Sequence, residues 1–397
     1  MIEEMNFWTQ KRQKRIFLDY ASITPVAREV AEAMRQYESG SFANPSALYA
    51  EAIAGKEAAQ NARGKIARIL NVRKNEIIFT ASGTESNNLA LLGVFKACRT
   101  KDFIPHIIVS EIEHPSILEI CEEIKRLGGE VTYVLVSEEG IVNLKDIRTA
   151  LRDNTVLISV MYANNEIGTI QPIKEIGRMI KEWRQKKDTL IPYFHTDACQ
   201  AVLYESLDAL KLGVDMMTLD GIKMHGPRGT GLLYMKQDVT INPIFFGGGQ
   251  ERGLRSGTEN VPGIVGLAIA LELAEKMKES ELARLTDIRD YAIEKILKTF
   301  PGSTLNGSKD LRLPNNINIC FPRLDAEFAV ISLDVAGIAV SYSSSCRTLK
   351  EDSSSYVVTA LGKEECGTSS LRITLGREST KTDIGALVVA LQKIIKK

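Results

Sequence analysis

Apolar and polar positions follow two different periods along the first 260 residues. Between segments of helical periodicity lie seven short apolar runs typical of buried strands, near residues 76–80, 106–110, 131–136, 155–161, 190–196, 214–219 and 231–235. Apolar residues that recur every three or four positions predict helices near 26–38, 46–70, 84–98, 114–127 and 173–186. Repeated alternation of strand and helix predicts an α/β fold with a mostly parallel, seven-stranded sheet.

The pattern changes after the triple glycine Gly247-Gly248-Gly249. A long helical pattern covers about 262–298, and shorter strands and helices follow it to the C-terminus. We therefore expect a large domain over 16–260. A smaller α+β domain is expected over 261–397, joined by the N-terminal residues 1–15.

Composition and charge narrow the class of protein. The chain has 397 residues, and its 50 basic and 50 acidic side chains cancel, so no long-range field favours nucleic acid or a membrane surface. No stretch has the length of a transmembrane helix, and the N-terminus, with Glu3 and Glu4, lacks the apolar core of a signal peptide. The six cysteines lack the spacing of paired or metal-binding cysteines. We expect a cytoplasmic protein with reduced cysteines and no metal site.

Asp197 and Lys223 are the first candidates for chemistry. Asp197 follows the apolar run 190–196, and Lys223 comes shortly after the run 214–219. Taken singly, a helix-capping aspartate and a surface lysine are the simpler interpretations. Together they are the pair that a pyridoxal phosphate enzyme needs. The lysine amine bonds to the cofactor's aldehyde, and the aspartate keeps the pyridine nitrogen protonated so that the ring accepts electrons.

A third segment upstream is suited to a phosphate group. The strand-like run 76–80 leads through Ser82, Gly83 and Thr84 into a helical pattern, and Ser82 and Glu85 have the spacing of a capping box. A helix N-terminus favours an anion, and a glycine there allows close backbone approach. Most such turns are ordinary caps without a ligand. This one precedes the aspartate and lysine segments, and the three together predict a cofactor site.

Cys346 is a candidate nucleophile. It lies beside Arg347 in a serine-rich polar segment that follows the apolar run 338–340. An exposed cysteine next to a cation has its thiolate form favoured. An inert thiol is the plainer interpretation of most cysteines, and it suits the other five, which are Cys98, Cys121, Cys199, Cys320 and Cys366.

From about residue 16 onward, the chain carries an ordered set of motifs. They are Leu18-Asp19-Tyr20-Ala21, Asn44-Pro45-Ser46, Gly83-Thr84-Glu85-Ser86-Asn87-Asn88, Glu113-His114-Pro115, Asn164-Asn165-Glu166-Ile167-Gly168, His195-Thr196-Asp197, Lys223, the run 247–258, Cys346 and Ser370-Leu371-Arg372. This set resembles group I cysteine desulfurases of the class V aminotransferase family. The resemblance implies fold type I of the pyridoxal-phosphate-dependent transferases.

The resemblance also implies roles around the cofactor ring. Lys223 would bind the aldehyde carbon and move protons, and Asp197 would pair with the pyridinium nitrogen. His114 would stack on the ring and act as acid and base on the substrate thiol. Gln200 and Asn165 would bond the ring hydroxyl.

Further residues would bind the cofactor phosphate and the substrate carboxylate. By the same resemblance, Gly83 and Thr84 hold the phosphate, with Thr258 reaching in from the partner of a homodimer. Arg372, with Asn165, would bind the substrate carboxylate, a task that the planar guanidinium suits.

The implied activity is a sulfur transfer centred on Cys346. L-cysteine would become L-alanine, and the sulfur would stay on Cys346 as a persulfide. An acceptor protein, either an iron–sulfur scaffold or a tRNA-thiolation protein, would then take it. Two alternatives stay open: a non-catalytic scaffold relative, and another enzyme of the family such as a selenocysteine lyase.

The chain departs from the family pattern just before Lys223. Asp220 and Ile222 stand where the family has a hydroxyl residue and a histidine. An ionised aspartate would repel a phosphate dianion, and isoleucine offers no hydrogen bond. Either Asp220 turns away, or the phosphate is held by Gly83, Thr84 and Thr258, with His225 as an additional candidate.

Overall fold

A computed structural model describes residues 15–40, 42–342 and 354–395. Cys346 and Arg347 lie outside these ranges. The strands are β1 (Ile16–Phe17), β2 (Ile77–Thr80), β3 (His106–Ser110), β4 (Glu130–Val134), β5 (Thr155–Ser159), β6 (Tyr193–Asp197), β7 (Met216–Asp220), β8 (Gly231–Met235), β9 (Thr304–Leu305), β10 (Asn316–Cys320), β11 (Ile338–Ala339) and β12 (Ser370–Thr374).

The helices alternate with the first strands and then dominate the second half of the chain. They are α1 (Arg28–Arg35), α2 (Ala50–Leu70), α3 (Gly83–Cys98), α4 (Pro115–Arg126), α5 (Leu144–Ala150), α6 (Ile173–Lys187), α7 (Ala209–Leu212), α8 (Val261–Thr299), α9 (Ala326–Val335), α10 (Tyr356–Ala360) and α11 (Lys381–Ile395). Within the described ranges, none of these helices is long and apolar enough to cross a membrane.

A seven-stranded sheet forms the centre of the molecule, in the order β2-β8-β7-β6-β5-β3-β4. Strand β8 runs antiparallel to β2 and β7, and the other neighbours are parallel. The six strands other than β4 are buried along their whole length, as expected for a sheet covered on both faces. The predicted α/β class and the mostly parallel seven-stranded sheet are confirmed.

Two small sheets follow later in the chain. Strands β12, β10 and β9 form an antiparallel sheet, and β1 pairs in parallel with β11. The predicted boundary near residue 260 coincides with Asn260, which caps α8. However, one hydrophobic core contains Phe194 from the large sheet together with Ile317 and Leu371 from the small one. The division into domains therefore stays a proposal.

The cysteines correct one expectation. Cys320 and Cys366 form a disulfide, although their spacing did not indicate a pair. The antiparallel pairing of β10 with β12 sets Cys320 opposite Ser370, four residues beyond Cys366, and so brings together two residues that are 46 positions apart in the chain. Cys98, Cys121 and Cys199 are free thiols.

Candidate active site

A pocket lies where five strands of the large sheet end. Strands β2, β3, β5, β6 and β7 run in the same direction, so the segments that follow them meet at one edge. The predicted site residues that line this pocket are Gly83, Thr84, His114, Asn165, Asp197, Gln200, Lys223 and Arg372.

Two further predictions fall elsewhere. Thr258 is exposed and does not line the pocket within one chain. His225 is also absent from the pocket wall: its Nδ1 lies 2.9 Å from the Pro25 carbonyl, and its N–H donates to Thr24 Oγ1 at 2.7 Å. His225 therefore does not line this pocket, and its part in holding a phosphate stays a prediction.

Asp197 is held rigidly at the end of β6. The residue is 8% exposed. Its Oδ1 accepts the Cys199 N–H at 3.0 Å, and its Oδ2 accepts Asn87 Nδ2 at 2.8 Å. Asn87 was not predicted as a site residue. Its place one helical turn after Gly83, on the same face of α3, is the signal that could have found it.

His114 caps the N-terminus of α4. Its Nδ1 accepts the Ser116 N–H at 3.1 Å and lies 2.8 Å from Ser116 Oγ. A backbone N–H can only donate, so Nδ1 carries no proton and the neutral ring is protonated at Nε2. Burial lowers the His114 pKa; nearby Asp197 opposes this shift and Lys223 adds to it. The ring is therefore neutral at pH 7.

Lys223 lies in the short 3-10 turn that follows β7. Its Nζ donates to the carbonyls of Ala21 and Ser22, each at 2.7 Å. Gln200 Nε2 donates to the same Ala21 carbonyl at 3.0 Å. The N-terminal segment therefore fixes both side chains at the pocket wall.

Arg372 of β12 is 1% exposed and forms the opposite wall. Its Nη2 donates to Asp19 Oδ1 at 2.9 Å and to Ser22 Oγ at 2.7 Å, and Nη1 donates to the Asn165 carbonyl at 3.1 Å. Its buried Nε has no hydrogen-bond partner among the residues described. An orphaned guanidinium donor in a pocket wall suits a carboxylate ligand.

Asp220 does not turn away from the pocket. It lines the wall, and its Oδ2 accepts the Gly83 N–H at 2.8 Å. Its Oδ1 accepts the Ile222 N–H at 3.1 Å. Of the two alternatives left open by the sequence, the one in which Asp220 points elsewhere is wrong.

Glu113, beside His114, is fully buried. Its Oε1 accepts Ser110 Oγ at 2.5 Å and the Met161 N–H at 2.8 Å, whereas Oε2 has no partner in the described part of the chain. Burial raises the pKa of Glu113 to about 8. The Glu113 carboxyl group is therefore largely protonated at pH 7. Through Ser110 and Met161 it links the end of β3 to the segment that follows β5.

Ser355 and Tyr356 are tied to two active-site motifs. Ser355 Oγ donates to Glu166 Oε2 at 2.5 Å, and Glu166 follows Asn165. Tyr356 Oη donates to the Glu113 carbonyl at 2.5 Å, and Glu113 precedes His114. The start of α10 is thus joined to the residues next to Asn165 and His114, both of which line the pocket.

The pocket fits pyridoxal phosphate around the ring and the aldehyde. Lys223 and Asp197 line one cavity, and Asn87 Oδ1 and Asn165 Oδ1 are buried there without partners among the described residues. Such orphaned amide oxygens favour a polar ligand. At the phosphate end, Gly83 offers the start of a helix, but Asp220 already accepts its N–H.

Comparisons with known proteins agree with this geometry. The sequence pattern of class-V aminotransferases matches residues 16–387. A protein of Dictyoglomus turgidum named cysteine desulfurase IscS is 42% identical, over 97% of this chain and 95% of that protein. Another of that name from Methanosarcina thermophila is 43% identical, over 97% and 93%. A solved NifS-like protein superimposes with a TM-score of 0.88 at 31% identity, over 96% of this chain and 99% of that one. The chain belongs to the class-V aminotransferase family.

Proposed function

We propose that the protein is a pyridoxal-phosphate-dependent cysteine desulfurase that converts L-cysteine to L-alanine and holds the sulfur as a persulfide on Cys346. The observation that carries this proposal is the meeting of Lys223, Asp197, His114 and Arg372 in one pocket. The similarity to proteins named cysteine desulfurase supports it along nearly the whole chain.

The residues around the ring would hold the cofactor and keep it reactive. Pyridoxal phosphate, when bound, withdraws electrons from the bonds at the α-carbon of an amino acid. Lys223 holds it covalently and moves protons through Nζ. Asp197, fixed by Asn87, keeps the ring nitrogen protonated, and Gln200 and Asn165 bond the ring hydroxyl.

The phosphate end would be shared between subunits. Gly83 and Thr84 supply the start of α3, and Thr258 of the partner subunit completes the site in a homodimer. The exposure of Thr258 in the single chain supports this arrangement, because the residue is available to a neighbour. A composite site of this kind requires a two-fold assembly.

Substrate binding and proton transfer would use the opposite wall. Arg372 binds the carboxylate of cysteine through its remaining guanidinium donor, and His114 acts as acid and base on the substrate thiol. The Cys346 thiolate attacks the substrate sulfur, so that an S–S bond forms as the C–S bond breaks. The electron pair of the broken bond stays with the carbon, which takes up a proton to become alanine.

The persulfide on Cys346 would then pass to an acceptor protein. An iron–sulfur scaffold or a tRNA-thiolation protein is the acceptor that the family resemblance implies, in the cytoplasm. The proposed organisation suits this transfer: the large domain, 16–260, binds the cofactor, and the smaller domain, 261–397 with 1–15, carries the Cys346 segment between cofactor and acceptor.

Product analysis tests the activity. Protein loaded with cofactor is given L-cysteine and a reductant, and alanine and sulfide are measured together. We expect the two products in equal amounts. A keto acid in place of alanine would indicate transamination, and the absence of any product would favour a non-catalytic relative. The same assay with selenocysteine compares the two substrates.

A further inference from the structure

Asp220 places a carboxylate against the first residue of α3. It is the last residue of β7 and is 7% exposed. Its two oxygens accept backbone N–H groups from separate segments, Gly83 at 2.8 Å and Ile222 at 3.1 Å. The position of the carboxylate is therefore set by the main chain on both sides.

Asp220 accepts a hydrogen bond from the Gly83 N–H, which is a group that an external anion would use. The first-turn N–H groups of a helix lack partners within the helix, and the positive end of the dipole lies there. Ser82 Oγ accepts the Glu85 N–H at 3.1 Å. A side chain at position 83 would crowd the turn, since a Cβ would lie 2.9 Å from Cys199 Sγ. The same Cβ would lie 3.2 Å from Asp220 Oδ2, so a glycine at this position lets the Asp220 carboxylate reach the helix start.

Other observations mark this pocket as a ligand site. The orphaned oxygens of Asn87 and Asn165 lie in the same wall as Asp220. Asp220 is faced by the Lys223 ammonium, by the Asp197 carboxylate and by the buried Cys199 thiol. Burial raises the Cys199 pKa well above its usual value, so that thiol stays neutral. A phosphate entering at the start of α3 would therefore meet the Asp220 carboxylate at the Gly83 N–H.

We propose that Asp220 sets the selectivity of this protein between phosphorylated and unphosphorylated pyridoxal, because its carboxylate occupies the Gly83 N–H that a phosphate would take. The inference rests on the proposed function. A phosphate either displaces Asp220 Oδ2 from the Gly83 N–H, so that the carboxylate loses this hydrogen bond, or binds beside it, which brings like charges together. Unphosphorylated pyridoxal neither displaces the carboxylate nor brings a second negative charge beside it.

Ligand titration tests the inference without an activity measurement. The apo-protein is titrated with pyridoxal 5'-phosphate and, separately, with pyridoxal, and absorbance follows attachment to Lys223. Asp220→Asn has nearly the same shape and removes the charge, and its single amide oxygen can accept only one of the two N–H groups. We expect its dissociation constant for pyridoxal phosphate to fall about 10-fold to 100-fold, the range of one charge-assisted hydrogen bond. The constant for pyridoxal should not change.

Two further variants serve as a second test and as a control for the two dissociation constants. Asp220→Ser should shift the same ratio in the same direction, and it replaces Asp220→Asn if circular dichroism shows that the latter does not fold. Asp325→Asn is the matched control, because Asp325 also accepts a helix N–H, that of Phe328 at 3.0 Å, outside the pocket. It should leave both constants as in the wild type.

The two failures are distinguishable. If both ligands attach but the Asp220 variants keep the wild-type ratio of dissociation constants, Asp220 does not oppose the phosphate and the inference is overturned. If neither ligand attaches to Lys223 in any form of the protein, the proposed function fails, and the inference fails with it.

Discussion

The hydrogen bond from Ser355 to Glu166 holds the start of α10 beside the active site, and replacing Ser355 tests what this contact contributes. Ser355 is 1% exposed, caps α10 through the Val358 N–H at 3.1 Å, and donates to Glu166 Oε2 at 2.5 Å. Loss of an N-cap costs about 1 kcal/mol, and removing a partner from a buried acceptor costs about 1–3 kcal/mol. Ser355→Ala should therefore destabilise this attachment by about 2–4 kcal/mol.

That free energy predicts a measurable change in local opening. A loss of about 2–4 kcal/mol raises an opening constant roughly 30-fold to 700-fold. Native-state hydrogen exchange at the α10 amides of Val357 and Val358 reports it. Alanine formation should slow as well, because Ser355 follows Cys346 in the chain and is held beside the active site by Glu166. Cofactor affinity should not change, because Ser355 does not line the pocket.

Two control variants separate this effect from general destabilisation. Ser355→Thr keeps the hydroxyl and should restore most of the protection. Ser280→Ala removes an exposed serine hydroxyl on α8 and should leave α10 unaffected. Wild-type protection and turnover in Ser355→Ala would refute the reasoning.

The remaining predictions concern the cofactor, the assembly and the pH dependence. After borohydride reduction, the Lys223 peptide of the wild type should carry the cofactor mass, and Lys223→Ala should carry none; an adduct on another lysine of the variant would remove Lys223 from its role. Light scattering should show a homodimer, and Thr258→Ala should weaken cofactor binding; a fully active monomer would contradict the composite site. The Glu113 pKa is about 8 in the folded protein and has its ordinary value of 4.5 in the unfolded chain. As pH rises from 5 to 8, the unfolded chain therefore loses this proton before the folded protein does, and the free energy of unfolding should fall. Glu113→Gln should remove up to about 4 kcal/mol of that fall, measured by urea midpoints across this range; an unchanged slope would contradict it.

The strands of the large sheet were predictable because each is a short apolar run. The run near 131–136 corresponds to β4 and the run near 214–219 to β7, each within two residues. Helix α5 was not predicted, because its seven residues are too few to establish a period. The helix expected over 26–38 is α1, Arg28–Arg35, which continues as a π-helical segment over Gln36–Gly40.

The site residues that stand at or just after the ends of sheet strands were predictable from the sequence. Asp197 and Lys223 qualify, because parallel neighbours bring their carboxyl ends together. The support of Asp197 by Asn87 was not predictable from local sequence, since the two are 110 residues apart. The orientation of Asp220 and the pairing of Cys320 with Cys366 likewise depend on tertiary contacts that no local pattern encodes.

The central claim is that Cys346 receives the sulfur, and mass spectrometry of its peptide tests this most directly. Wild-type protein given L-cysteine alone should carry one extra sulfur on the peptide that contains Cys346. Cys346→Ser should keep the cofactor on Lys223, carry no extra sulfur and release little alanine. Cys199 is buried with a strongly raised pKa, and Cys366 is in a disulfide, so neither should accept the sulfur. Extra sulfur on either of them, or alanine formation by Cys346→Ser at the wild-type rate, would contradict the account.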